Sequence, residues 1–269
     1  MTMNRILITG AAGRIGRTLR EGLAKNYELL RLLDLAPLGE AAAREQLVRA
    51  DIADLTAIEA ALDGIDCVVH LAAVPEEDTW EKILPANIVG TYNVFEAARR
   101  RGTRRIVFAS TNHVVGFHRR ERRLDEHVMP RPDTRYGASK AFGEALGRLY
   151  ADKHGMSVAC LRIGSFQPKP QDERQLSTWI SPRDMTALVR CCIDAPDYHF
   201  LIVYGVSNNR DRRWFDEASR RIGYAPRDDA EAFAAEIRAR GEQPDPIAAQ
   251  FHGGPYCAIE FAGDVAKID

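Results

Sequence analysis

Arg5-Ile6-Leu7-Ile8-Thr9-Gly10-Ala11-Ala12-Gly13-Arg14-Ile15-Gly16 is the stretch from which the rest of the chain can be read. An apolar run of strand length ends on a glycine, and the spacing Gly10-x-x-Gly13-x-x-Gly16 opens what reads as a helix. Glycine carries no Cβ, so backbone N–H groups can approach a ligand closely, and a helix N-terminus adds a dipole that favours an anion. The pattern predicts a seat for the pyrophosphate of a dinucleotide. The same glycines also suit an ordinary tight turn between strand and helix, and a downstream acid separates the two readings. Asp34 ends Arg31-Leu32-Leu33-Asp34, about 20 residues beyond the glycines, where a carboxylate binds the adenosine ribose hydroxyls and repels a 2′-phosphate. Leu35 and Ala36 follow without an arginine, so NAD is favoured over NADP. Arg14, inside the glycine loop, is the contrary hint, although a loop arginine equally suits the pyrophosphate or solvent.

Outward from this stretch, apolar runs at 5–9, 27–33, 47–50, 67–71, 105–109 and 157–162 alternate with helix-length segments. Alternation of this kind implies right-handed crossovers between parallel strands. Runs rich in Ile, Leu and Val without polar alternation fit a sheet covered on both faces, an α/β doubly wound parallel sheet of Rossmann type. A proline-interrupted polar stretch, Ser165-Phe166-Gln167-Pro168-Lys169-Pro170-Gln171-Asp172-Glu173-Arg174, is expected to be a loop. Ser181-Pro182-Arg183-Asp184 has the form of a helix start running to about Asp194, with Ser as N-cap and Pro in the first turn. Residues 200–204 read as a further strand, 211–222 and 228–240 as helices, and a Gly/Pro-rich tail opens near Gln243. The organisation expected is a dinucleotide-binding domain over 1–165. Residues 166–269 then supply substrate-side loops and a small C-terminal region interleaved with that domain.

With 37 basic against 38 acidic residues the net charge is -1, which points away from nucleic acid and from a membrane surface. No apolar run approaches the roughly 20 residues that span a bilayer. The start, Met1-Thr2-Met3-Asn4-Arg5, enters a strand with no signal-like apolar segment. A cytoplasmic protein is expected. The five cysteines, Cys67, Cys160, Cys191, Cys192 and Cys257, are odd in number and lack metal-ligand spacing, so neither a disulfide framework nor a metal site is expected.

Chemistry enters at Arg135-Tyr136-Gly137-Ala138-Ser139-Lys140. A free tyrosine titrates near 10 and is a poor base at neutral pH, but a neighbouring ammonium favours the phenolate. Lys140 lies four residues on, on the same helix face. Tyr136 is then suited to take a proton from a substrate hydroxyl while hydride leaves the same carbon for a nicotinamide. Ser110 or Thr111, at the end of the fifth strand, is within reach of the reacting oxygen.

With the glycine spacing, Asp34, Ala72-Ala73, Ser110 and Tyr136-x-x-x-Lys140 in this order, the first 165 residues or so resemble the extended short-chain dehydrogenase/reductase superfamily, of NAD-dependent epimerase/dehydratase type. Within it, Phe108-Ala109-Ser110-Thr111-Asn112-His113, Arg131-Pro132-Asp133, Arg162-Ile163-Gly164-Ser165 and Ser177-Thr178-Trp179 resemble the uronate dehydrogenases over nearly the whole chain. The resemblance implies cofactor contacts at Gly10, Gly13, Arg14, Ile15, Gly16, Asp34, Asp51, Ile52, Leu71, Ala72, Ala73, Asn87, Tyr136, Lys140 and Ile163. It implies a sugar-acid substrate held by Thr111, Asn112, His113, Tyr136, Ser165 and Arg174, the guanidinium of Arg174 facing the C6 carboxylate. It places the substrate-side hydroxyl on Thr111, where the family usually has Ser. Oxidation at C1 of the pyranose then gives an aldarolactone.

Two departures bear on the substrate. Val74-Pro75-Glu76-Glu77 stands where those enzymes commonly place a sugar-contacting serine. The basic run His118-Arg119-Arg120-Glu121-Arg122-Arg123 follows the fifth strand on the ligand side of the sheet, and is either a solvated loop or a phosphate site. A sugar-phosphate C1 dehydrogenase is therefore the nearest alternative. A nucleotide-sugar epimerase or dehydratase needs a longer C-terminal region, and a non-catalytic NAD-binding regulator does not need Tyr136 or Lys140. In many members of the superfamily the helices near 86–101 and 136–154 pair between subunits, which implies a homo-oligomer.

Overall fold

In a computed structural model of the chain, which describes residues 3–268, the opening run forms strand β1, Arg5–Thr9, and the glycine turn leads into helix α1, Arg14–Leu23. There follow β2 (Leu29–Asp34), β3 (Glu45–Arg49), α2 (Leu55–Ala61) and β4 (Cys67–His70). Met1, Thr2 and Asp269, which begin and end the two expected regions, lie outside the described residues. A continuous helical rod runs through α3 (Trp80–Ile83), a π-turn at Leu84–Gly90 and α4 (Thr91–Arg100). Then come β5 (Arg105–Thr111), α5 (Arg135–His154) and β6 (Ser157–Ile163).

The polar stretch after Gly164 is less irregular than expected. Its start, β7 (Ser165–Phe166), pairs in parallel with β8 (Trp179–Ile180), and α6 (Gln175–Thr178) lies between them. Helix α7 is Pro182–Asp194, and its cap is the one read from sequence, with Ser181 Oγ accepting from Asp184 N at 3.0 Å. Strand β9 (Phe200–Gly205) returns to the main sheet beside β6.

Among the described residues seven strands form this sheet, all parallel, in the order β3-β2-β1-β4-β5-β6-β9. Successive side chains of β1 point to opposite faces, so Ile6 and Ile8 enter one apolar layer with Leu19, Leu188 and Val189, while Leu7 enters the other with Val94, Phe95 and Leu146. Each fully buried Leu or Ile contributes about 1.5–3 kcal/mol, which is why both faces are covered by helices. Strand order reverses between β1 and β4, the place where sheets of this kind open a crevice at the carboxyl ends of their strands.

The helix expected over 211–222 is reduced to α8, Ala218–Arg221. Trp214, almost fully buried and stacked on Tyr204 at 5.6 Å, forms an isolated bridge with Leu124. Its neighbours follow suit: Leu124 N donates to Arg213 O and Phe215 N to Leu124 O, both at 2.9 Å. Tertiary docking of one tryptophan thus overrides local helix propensity. Residues 228–240 are a short 3-10 turn, Ala230–Phe233, leading into α9, Ala234–Ala239, and the tail carries α10, Pro255–Ala258. Among the described residues no helix is long and apolar enough to cross a membrane.

Candidate active site

A cleft of about 1120 Å³ opens at the carboxyl ends of β1, β2, β4, β5 and β6. On one side the glycine turn forms its floor. At Gly10 φ is +71°, and a Cβ there would lie 2.6 Å from the nitrogen of Ala72, so the turn and the end of β4 approach to a distance only glycine permits. Asp34 is fixed at the end of β2 by backbone donors: Ala12 N to Oδ2 and Ala36 N to Oδ1, each at 2.9 Å. A carboxylate so held keeps lone pairs for a diol and sets a negative charge against a 2′-phosphate. Arg14, Ile15, Asp51, Ile52, Leu71, Ala72, Ala73 and Ile163 line the same cleft, as do Gly13 and Gly16. The cradle, the carboxylate and the helix N-terminus together fit a dinucleotide. Arg14 reaches across to the far wall, where Nη1 donates to Gln167 Oε1 at 3.2 Å.

Asn87 stands apart from this set. It lies in the π-turn behind the wall, its amide engaged with Val74 N and O and with Ser139 Oγ at 2.8–3.1 Å. It braces the loop after β4 against α5.

Thr134 caps α5 by accepting from Gly137 N at 3.0 Å, and Glu77 Oε2 accepts from the amide of Tyr136 itself at 2.8 Å. Arg135 ties Glu77 and Glu260 together, both at 2.6 Å. With the first turn so fixed, Tyr136 and Lys140 project from one face into the cleft, and both are buried. Lys140 Nζ lies 5.0 Å from the ring centroid of Phe108 and 5.8 Å from that of Tyr136.

The expectation that this ammonium by itself favours the phenolate is not met. Burial pushes the Tyr136 phenol well above its ordinary value, opposed by a hydrogen bond from Thr111. Burial also lowers Lys140 to about 7, so its charge is only partly available at neutral pH.

Adjacent residues of β5 divide the remaining work. Ser110 lines the cleft, but its hydroxyl donates to Glu144 Oε1 at 2.6 Å, and Glu144 is held by Arg162 through bonds of 3.0 and 2.9 Å. Thr111, pointing to the opposite side, accepts from His113 N at 3.3 Å and stands close enough to the Tyr136 phenol to oppose the rise that burial imposes. Of the two hydroxyls named from sequence, Ser110 is committed to Glu144 and Thr111 stands beside Tyr136.

On the substrate side Asn112, His113, Ser165 and Arg174 share the cleft wall. His113 Nδ1 meets the fully buried carboxylate of Asp133 at 2.7 Å, and its ring stacks on Tyr256 at 4.1 Å. The Asn112 amide, oriented by its hydrogen bonds, donates to Ile163 O at 3.1 Å and accepts from Arg174 Nη2 at 2.7 Å. Arg174 Nε donates to the carbonyl of His252 at 2.8 Å. Burial lowers the guanidinium from its ordinary value, yet an arginine in a protein stays charged. Ser165 bonds Thr178 Oγ1 at 2.9 Å. The basic run 118–123 does not line the cleft.

Four contributors were absent from the sequence reading of the site: Asp133, Glu76, Gln167 and Tyr256. Asp133 lies in the quoted Arg131-Pro132-Asp133 and was within reach of sequence reasoning. Nothing local marks Tyr256 in its Gly/Pro-rich tail, because its partner His113 lies on a distant element.

The model of the NAD dependent epimerase/dehydratase family matches residues 6–184. The uronate dehydrogenase of Agrobacterium fabrum is 45% identical over 94% of this chain and 97% of its own. That of Pseudomonas putida is 42% identical over 91% of each. The crystal structure of uronate dehydrogenase from Agrobacterium tumefaciens, a tyrosine-to-alanine mutant complexed with NAD, superposes with a TM-score of 0.91 at 43% identity, over 96% of this chain and 98% of that one.

Proposed function

The chain belongs to the NAD-dependent epimerase/dehydratase family, and from that premise we propose that it oxidises a hexuronate such as glucuronate or galacturonate at C1 with NAD, giving the aldarolactone. The observation that carries this reading is the pairing in one cleft of Tyr136, Lys140 and Thr111 with a guanidinium, Arg174, on the substrate side. Relatives of near full length named for this activity support it.

The glycine turn and Asp34 hold the adenosine and pyrophosphate end of the cofactor. NAD, when bound, supplies the hydride acceptor and a positively charged ring that favours the ionised form of Tyr136. Tyr136 takes the proton of the C1 hydroxyl as the C1–H bond breaks and C1 becomes the lactone carbonyl. Thr111 donates its single hydroxyl proton to the reacting oxygen. Lys140 orients the ribose beside it and adds its charge. Arg174 takes the C6 carboxylate, with His113 directed by Asp133 toward the ring hydroxyls.

A phosphate ester is disfavoured because the basic run lies away from the cleft. A cytoplasmic setting agrees with five unpaired thiols, four of them buried. A homo-oligomer agrees with the exposed apolar side chains of Trp80, Leu84, Val89, Tyr92 and Leu149 on the helical rod and α5.

The direct test uses a uronate deuterated at C1. The reading requires deuterium on the reduced nicotinamide and a lactone as first product by NMR. Deuterium retained on the sugar contradicts it.

A further inference from the structure

The basic run 118–123 and the turn His252-Gly253-Gly254 take no part in the chemistry above, yet the structure joins them. Arg120 N donates to Gln250 O at 2.8 Å, and His252 N donates to His118 O at 3.0 Å. Arg119 reaches Gln250 Oε1 at 2.8 Å and the carbonyl of Val265 at 2.9 Å. The buried His252 ring accepts from Trp214 Nε1 at 3.0 Å and donates from Nε2 to Arg122 O at 2.9 Å, so both nitrogens are satisfied in the neutral form. The run is therefore a dock for the C-terminal segment.

What the dock delivers is the turn. The carbonyl of His252 receives Arg174 Nε, and Gly254, at φ 62° and ψ -130°, lies directly against the Arg174 side chain. A Cβ at Gly254 would collide with Arg174 Cδ and come within 2.7 Å of Nε. Gly253 packs in the same way against the Asp133 carboxylate that holds His113. Arg174, which lines the cleft, is thus fixed from two sides, by Asn112 and by the turn.

We propose that Gly254, with the carbonyl of His252, is the positioning element that aims Arg174, and so sets selectivity for a substrate bearing a carboxylate. The inference rests on the uronate reading. It makes the docked C-terminal segment the specificity module of the enzyme, and it gives the basic run the task of holding that module.

The test is a double-mutant cycle on the purified full-length enzyme: wild type, Gly254→Ala, Arg174→Ala and the double variant, each assayed for kcat/KM with glucuronate and galacturonate and for NADH affinity. A displacement of about 1 Å at a positioning group costs on the order of a hundredfold, so Gly254→Ala alone should lose about that much. In the Arg174→Ala background the collision is gone, and the same change should cost less than about threefold, with NADH affinity level across the set. Backbone strain at a left-handed position is common to both backgrounds and cancels from the cycle. Equal losses in the two backgrounds would make Gly254 merely structural and overturn the inference. The double variant also relieves the contact most apt to impair folding, and melting temperatures of all four report on that separately. A wild type silent on every uronate would end the functional reading, and this inference with it. Additive losses in an active wild type would end this inference alone.

Discussion

Lys140→Met offers a quantitative check on the buried ammonium. Methionine keeps the length of the stem and removes the charge. In the folded chain burial takes Lys140 from 10.5 to about 7. At about 1.4 kcal/mol per pH unit, that difference is a penalty of about 5 kcal/mol for keeping the charged form folded. The sign follows from proton counting. Between the folded and unfolded values the unfolded chain binds more protons, so wild-type stability rises with pH across that interval. The penalty is complete below about pH 7 and gone above about pH 10.5. Lost contact with the faces of Phe108 and Tyr136 offsets about 0.5–2 kcal/mol of the gain. Lys140→Met should therefore exceed wild type by about 3 kcal/mol at pH 6, and the gap should narrow by about 2 kcal/mol between pH 7 and pH 9. Urea unfolding of both proteins at several pH values, without cofactor, measures it. A gap that does not change with pH, or a variant less stable at pH 6, would refute the assignment of a desolvated ammonium.

Three further outcomes follow from the site. Tyr136→Phe should lower kcat by about 10²–10⁴ while leaving NAD affinity within about twofold, by fluorescence titration and steady-state rates; substantial residual turnover would remove Tyr136 as the base. Ser110→Ala should cost about 1–3 kcal/mol of stability by stripping a donor from Glu144 and spare kcat, whereas Thr111→Ala should cut kcat at least about tenfold with little change in melting; the reverse pattern would exchange their roles. Asp34→Ala should lose about tenfold in kcat/KM with NAD and gain relative activity with NADP, and unchanged discrimination would show that Asp34 does not read the ribose.

How much was legible in the sequence depended on the range of the interaction. The glycine turn, Asp34 and the Tyr136–Lys140 pair are local patterns, set by one turn of helix or one strand end, and sequence spacing places them. Residue type alone does not separate Ser110 from Thr111, and only the resemblance points to Thr111, because the choice turns on the side of β5 that Glu144 from α5 occupies. The same holds for Tyr256 above His113 and His252 behind Arg174. Each joins elements far apart in the chain, and composition carries no trace of such contacts. The helix expected over 211–222 failed for a related reason, since the buried Trp214 binds its segment to Leu124. By charge the basic run fits a solvated loop or a phosphate site, whereas its backbone and Arg119 serve the C-terminal segment.

The most direct test of the central claim is NADH formation followed by absorbance, with glucuronate, galacturonate, glucose-6-phosphate and the neutral hexoses side by side, each against NAD and NADP. The account predicts turnover of a uronate with NAD, weak use of NADP and little activity on the neutral sugars. Activity confined to the phosphate ester, or equal rates on uronate and neutral hexose, would contradict it.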